Sequence, residues 1–339
     1  MSGISSRRPW IRSPVAVSSL PGHRLVVRKP RGQQWPISAA QTGYEALENA
    51  LDEYRNAPPS IKSEFTGDIM EACEELKTAN VLKKWGIEKE ELPSRRQVSL
   101  GDLRMIGVKQ PEAIAQLSVR NDAAFLFSVV SSTSIIATIL GATLPGDWGF
   151  FSSYLTGGIA IVVLAIGSTN PGILQFAIDS FSKVFPDYRK RVVIHEAAHF
   201  LLAHLLGVPV VGYSLMLGKE HTDLAEAALQ RRLIEKQLDE QEVNRLGIIA
   251  MAGATAEAMN FPEVMGQNAD MLDLQRIMMR SSTKLGNQQQ QNLTRWASYQ
   301  AASLLRKYKA EYEALVQCME SAGSVKDCIV AIENATPSA

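Results

Sequence analysis

Two histidines four residues apart, with a glutamate directly after the first, form the segment His195-Glu196-Ala197-Ala198-His199. On an α-helix, positions i and i+4 lie on one face a turn apart, so both imidazoles can reach one zinc ion. Glu196 lies about 100° round the helix from His195, beside such an ion rather than on it. A metal that acidifies water and a carboxylate that takes its proton are what peptide hydrolysis at neutral pH requires. The flanks fit a helix. Val192, Val193 and Ile194 precede the motif, Phe200, Leu201, Leu202 and Ala203 follow it, and Gly207 and Pro209 stop the run. A chance HExxH falls more readily in a charged helix or a loop, and a buried His-Glu-His cluster without a cation is costly to desolvate.

A third ligand must come from elsewhere. His204 is about half a turn out of phase with His195 on a 3.6-residue period, so it reads as a helix-surface histidine or one that supports the site from behind. The longer HExxHxxGxxH pattern fails, since Leu202 and Leu205 stand where it requires glycine and histidine. Gly266-Gln267-Asn268-Ala269-Asp270 is the better place to look, because Asp270 opens an apolar-periodic stretch (Met271, Leu274, Ile277, Met278) and reads as a helix start. The bland role of an aspartate there is a plain N-cap. Asp273, one turn later, and Glu257 in Gly253-Ala254-Thr255-Ala256-Glu257 are the competing carboxylates, Glu257 as a group that orients a ligand.

The elements around this site include a long apolar region. Between Asp122 and Asp179 the only charged residue is Asp147. Residues 123–144 and 150–167 are two apolar stretches of the length, about 20 residues, that crosses a bilayer core. Pro145-Gly146-Asp147-Trp148-Gly149 is expected to be the turn between them, with Trp148 at the interface. A transmembrane hairpin is favoured over buried soluble helices, which rarely run so long without charge. Ser128, Ser131, Ser132, Thr133, Ser134 and Thr138 suit packing of one span on the other. Arg104, Lys109 and Arg120 precede the hairpin, Lys183, Arg189, Lys190 and Arg191 follow it, and the turn has no basic residue. Both soluble parts are therefore expected on the same, positive-inside face, with the metal helix close to the membrane surface. That helix, residues 192–207, is too short to lie within the bilayer.

The rest of the chain is less specific. The first acidic residue is Glu45, preceded by Arg7, Arg8, Arg12, Arg24, Arg28, Lys29 and Arg31 among Ser, Pro and Val. With no long apolar run, residues 1–44 resemble an organelle transit peptide, cut near 38–45, rather than a secretory signal. Lys plus Arg and Asp plus Glu each number 35, a balance that gives no electrostatic case for nucleic acid. Cys73, Cys318 and Cys328 form no C-x-x-C pair, which fits a reducing compartment and disfavours a Cys318–Cys328 bridge. No G-x-x-x-x-G-K-[ST] occurs, so there is no ATP site of that kind. Residues 45–120 read as a helical soluble region for interactions, with Leu47, Leu51, Tyr54, Ile69, Cys73, Leu76 and Leu82 in helical register and Pro58-Pro59 dividing two helices. One strand is expected over 208–217, a charged amphipathic helix over 223–238, and helices over 240–260, 269–283, 288–320 and 324–334.

His195-Glu196-Ala197-Ala198-His199, Ala252-Gly253-Ala254-Thr255-Ala256-Glu257, Gly266-Gln267-Asn268-Ala269-Asp270 and the late helix through Leu304-Leu305 and Glu311-Tyr312-Glu313-Ala314-Leu315 together resemble the peptidase domain of the FtsH-type membrane zinc proteases. The resemblance covers roughly residues 190–320. It implies His195, His199 and Asp270 as zinc ligands and Glu196 as the base. The arrangement is more closely similar to a plant chloroplast group of short FtsH-like proteins, which pair a two-span hairpin with this domain and carry a segment like Arg120-Asn121-Asp122-Ala123-Ala124-Phe125. Ala198 replaces the usual glycine of the family's HEAGH, at no helical cost, and the family's ATPase module is missing. The expected fold is therefore mainly α: a two-span transmembrane helical hairpin (121–170) followed by an α-helical HExxH zinc peptidase domain (171–335). The expected function is ATP-independent zinc metalloendopeptidase activity on unfolded or damaged proteins, in a chloroplast membrane (thylakoid or inner envelope), with the soluble regions facing the stroma. The alternative, of another class, is a catalytically silent partner of FtsH-type ATPase subunits. An intact Glu196 argues against it.

Overall fold

Prolines and glycines divide the chain into helices, and one continuous core gathers most of them. The computed structural model describes residues 37–58, 62–112, 114, 120–169, 188–215, 221–224, 238–264 and 267–336. It is mainly helical. The expected transit peptide lies outside the described residues as far as residue 36, and the first helix already begins at Ile37. Helices α1 (Ile37–Asn56) and α2 (Lys62–Thr78) pack on each other. α1 ends two residues before Pro58, as a proline demands of the residues ahead of it. The short α3 (Leu100–Met105) is started by Ser99, whose hydroxyl accepts from the Asp102 N–H while the Asp102 carboxylate accepts from the Ser99 N–H.

α4 (Arg120–Thr143) and α5 (Gly146–Thr169) are the two apolar helices, and they pack along each other. Both are long and apolar enough to cross a membrane. Of their most apolar windows none of the first and 6 % of the second is buried, unlike the core helix of a soluble protein. Phe127, Ile135, Phe150, Leu155, Ile161 and Val162 are all exposed. The turn is shorter than expected. Only Leu144 and Pro145 lie between the helices, and Asp147, Trp148 and Gly149 belong to the first turn of α5. Gly146 makes this possible with φ +61°, a conformation costly for a side chain, and a β-carbon on Gly149 would run into the Leu144 carbonyl.

The remaining elements are α6 (Tyr188–Leu205), β1 (Val210–Ser214), β2 (His221–Leu224), α7 (Glu240–Ala250), α8 (Ala252–Asn260), α9 (Gln267–Met279), α10 (Asn287–Lys307), α11 (Lys309–Glu320) and α12 (Val325–Asn334). Three expectations need correction. The start of the expected 223–238 helix is strand: β2 pairs antiparallel with β1, with a bulge between Val210 and Gly212. Residues 225–237 lie outside the described residues. The expected 240–260 helix is two, broken at Met251, and the expected 288–320 helix is two, broken at Tyr308. Each break turns the chain onto α6, the helix that carries His195 and His199. Periodicity does not see such breaks, because both halves keep a 3.6-residue apolar pattern.

Residues 45–112 share the core rather than forming one of their own. Leu47, Ile69, Leu82, Trp85 and Leu103 belong to the same buried cluster as Phe200, Leu201, Leu202, Ile248, Trp296 and Ile332. The segment after α2 closes the end of α6. The Gly86 N–H donates to the His204 carbonyl (2.9 Å) and the Glu88 N–H to the Leu205 carbonyl (3.0 Å). Carbonyls in the last turn of a helix have no partner within it. Gly86 (φ +62°) and Gly207 (φ +70°) meet here, each in a backbone conformation costly for a side chain.

Candidate metal centre

α6 is buried along nearly its whole length after the first turn, with His195, Glu196, Ala197 and Ala198 all inside. His195 and His199 therefore face neighbouring helices, and those helices fix both rings. The His199 Nδ1–H donates to the Ile249 carbonyl at 2.8 Å. That carbonyl lies in the last turn of α7, at the Met251 break, where a backbone N–H also reaches it. The His195 Nδ1–H donates to Glu257 Oε1 at 2.8 Å. Carbonyl and carboxylate oxygens only accept, so both neutral rings carry their proton on Nδ1 and their lone pair on Nε2.

Both lone pairs point at one place. Nε2 of His195 and Nε2 of His199 are 3.1 Å apart. Asp270 Oδ1 is 3.4 Å from the first and 3.2 Å from the second. The other Asp270 oxygen, Oδ2, accepts from the Ala254 N–H at 2.9 Å, one of the unpaired donors in the first turn of α8. The aspartate is thus anchored on one oxygen and free to coordinate through the other. Three electron-pair donors face one another with no donor hydrogen among them, an arrangement only a cation or a proton relieves. Zinc at about 2.0–2.2 Å from N and O ligands in a tetrahedral site spaces those ligands about 3.3–3.5 Å apart. The donor set and its spacing fit a metal ion.

The charges respond as such a cluster should. Burial works against a charged His195, but Asp270 and Glu257 outweigh it and hold the imidazole well above its ordinary 6.5. For His199 burial is outweighed in the same way, chiefly by Asp270. Burial likewise opposes the Asp270 anion, yet the two imidazoles hold its carboxyl below the usual range. The pocket attracts positive charge, whether a proton or a cation.

Glu196, buried, accepts from the Thr222 hydroxyl at 2.8 Å through Oε2, and its charge acts on His199. Thr222 Oγ1 also lies 3.2 Å from the Glu196 carbonyl. β2 is therefore the element that positions the carboxylate. Behind the site, the Arg191 guanidinium donates to the Glu263 carbonyl (2.8 Å), lies 3.9 Å from Glu257 Oε2 and covers the Phe261 ring. It is thus committed inside, not free as a membrane-surface charge. Tyr312 OH donates to the Ile194 carbonyl at 2.5 Å. Burial, with the Glu257 charge, pushes that phenol up and keeps it a donor.

The structure brings together His195, Glu196, His199 and Asp270. Asp273 is exposed and paired with Arg276 at 2.6 Å, away from the cluster. Glu257 touches a ring nitrogen rather than the ligand position. His204 is neither on the helix surface nor behind the metal cluster. It is buried, bonded to Glu333 at 2.8 Å and edge-on to Trp85. Sequence reasoning missed Thr222, Gly253 and the Ile249 carbonyl. Gly253 leaves no room for a β-carbon, which would overlap the His195 ring. Its signal was visible as a glycine inside a helical stretch, a position that needs a reason. Nothing in the sequence marked Ile249, because a backbone carbonyl carries no residue type. No protein family, no curated protein and no solved structure matches the chain.

Proposed function

We propose that the chain is a membrane-bound zinc metalloendopeptidase that cuts unfolded segments without ATP. The observation that carries this is the convergence of His195 Nε2, His199 Nε2 and Asp270 Oδ1 at 3.1–3.4 Å, with each ligand's other polar atom already bonded elsewhere. His195, His199 and Asp270 would hold the zinc, which when bound would supply Lewis acidity toward a water and a peptide carbonyl. Glu196, next to the ligands and steadied by Thr222, takes a proton from that water and hands it to the leaving amine. Glu257 keeps His195 in the Nδ1–H tautomer, and Arg191 keeps Glu257 in place.

α4 and α5 support membrane anchoring, since their exposed apolar sides need a solvent other than water. The FtsH-type resemblance, resting on its motifs alone, favours a chloroplast membrane and the stromal side. A chain without an unfoldase reaches only disordered tails or damaged proteins. The test is purified full-length protein in detergent with zinc, given casein and a compact folded protein, with no nucleotide. Casein should be cut and the folded protein spared. A chelator should stop cleavage and zinc restore it. Cleavage that requires an added ATPase subunit and ATP would instead favour a partner of an FtsH-type machine.

A further inference from the structure

The end of α11 and the start of α12 bring two free cysteines together. Cys318 Sγ and Cys328 Sγ are 3.6 Å apart. The loop between them is shaped for this approach. Ala322 adopts φ +57°, the Gly323 N–H returns to the Cys318 carbonyl at 3.0 Å, and the space of a Gly323 side chain is filled by Cys318 Sγ. On the other side, Tyr213 OH donates to the Gly323 carbonyl at 2.5 Å, tying the loop to β1. Cys318 is half-buried and Cys328 fully buried, so Cys318 is the more accessible residue of the two.

Beside the loop lies a cavity of about 740 Å3, lined by Val211, Tyr213, Leu215, Gly323 and Ser324 together with Lys62, Arg189 and Arg55, the last paired with Asp52 at 3.0 Å. Lys62 and Arg189 give its lining positive charge, which favours a small carboxylate-bearing molecule over a small cation. We infer that Cys318 and Cys328 are a reversible disulfide site, oxidised by exchange with a small carboxylate-bearing disulfide of the glutathione class.

The exchange balances without a further reagent. The Cys318 thiolate attacks one sulfur of the small disulfide, its S–S bond breaks and one small thiol leaves. Cys328 then gives up its proton to the departing thiolate, and its sulfur attacks that of Cys318, expelling the second small thiol. The protein loses two protons and two electrons, and the small disulfide gains them. The new bond staples α11 to α12. It leaves the His-His-Asp cluster alone, so this inference and the proposed function stand or fall separately.

The test is equilibration of the full-length protein with oxidised glutathione, followed by alkylation and peptide mass analysis. Cys318 and Cys328 should both become blocked as one cross-linked peptide pair and be freed again by dithiothreitol. Cys73, buried on α2 and with no cysteine contact comparable to that of Cys318 and Cys328, should remain a free thiol. The oxidised protein should melt higher, by about 5 °C, for a loop of this length. In Cys328→Ser, which lacks the resolving thiol, glutathione should stay on Cys318. Exchange should be slower with a neutral disulfide such as hydroxyethyl disulfide. Alkylatable Cys318 and Cys328 after equilibration, or a lasting glutathione adduct on Cys318 of the unaltered chain, would overturn the inference.

Discussion

Asp270 serves two partners at once, and that makes it informative to remove. Oδ1 faces the two imidazoles, and Oδ2 holds the Ala254 N–H at the start of α8. Asp270→Ala should abolish stoichiometric zinc binding and, even without metal, destabilise the fold by about 1–3 kcal/mol through the orphaned N–H. Asp273→Ala should do neither, since Asp273 is exposed and paired only with Arg276. Metal analysis of both variants with a thermal melt in chelator checks this. Protonation gives a second expectation. The folded-state values of His195 and His199 are raised, so in metal-free protein their contribution to stability is full below the ordinary 6.5 and lost as pH rises through the raised values. Asp270 is lowered, so its contribution is full above its ordinary 3.8 and lost only in stronger acid. Metal-free protein should thus be best supported between these two values and weaken above neutrality. Zinc needs the imidazoles neutral, so the stabilisation it gives should grow with pH over the same range. Melting curves with chelator and with zinc, from pH 5 to 8, would show the gap widening, and a constant gap would count against the cluster as the zinc site. At this level the sequence was legible for His195, Glu196, His199 and Asp270, whose types and spacings announce chemistry. It was not legible for Thr222, whose role depends on a strand pairing, nor for Ile249, which acts through its backbone.

The helices supply the site by ending. α7 stops at Ala250 and its Ile249 carbonyl accepts from His199, and α8 starts at once and offers Ala254 N–H to Asp270. Between these, Gly253 lies against the His195 ring with no room for a β-carbon. Gly253→Ala should cost about 1–3 kcal/mol by overpacking and displace the ring. The readout is zinc affinity reduced at least ~10-fold, as for the loss of a group that orients a ligand, alongside a lower melting temperature. Unchanged zinc affinity would mean that the ring has slack. Helical content was readable from apolar periodicity, and the breaks at Met251 and Tyr308 were not, because neither carries proline or glycine. The turn between α4 and α5 was placed correctly at Pro145 and drawn too long, since Gly146, read as turn, opens the next helix with φ +61°.

Across the whole chain, residues before the apolar helices hold the end of α6. Glu333 accepts from the Lys83 and Lys84 backbone N–H groups (2.7 and 3.0 Å) and from His204 (2.8 Å), while the Lys84 ammonium pairs with Glu311 at 2.9 Å. Residues 188–336 alone should therefore fail to form a rigid core, which near-ultraviolet circular dichroism of that fragment would show as a lost signal. Glu333→Ala in the full chain should cost on the order of 3 kcal/mol, since three donors lose one acceptor. The pattern of 45–82 made its helices legible, but helical register does not reveal which core a helix joins. The central claim joins a metal cluster to a base. It is tested most directly by the rate of casein cleavage in Glu196→Gln and in the unaltered protein, both loaded with zinc to the same measured occupancy. Glu196 is not a ligand, so the variant should keep its zinc and lose about 10²–10⁴-fold in rate. Equal rates at equal zinc would contradict the peptidase reading.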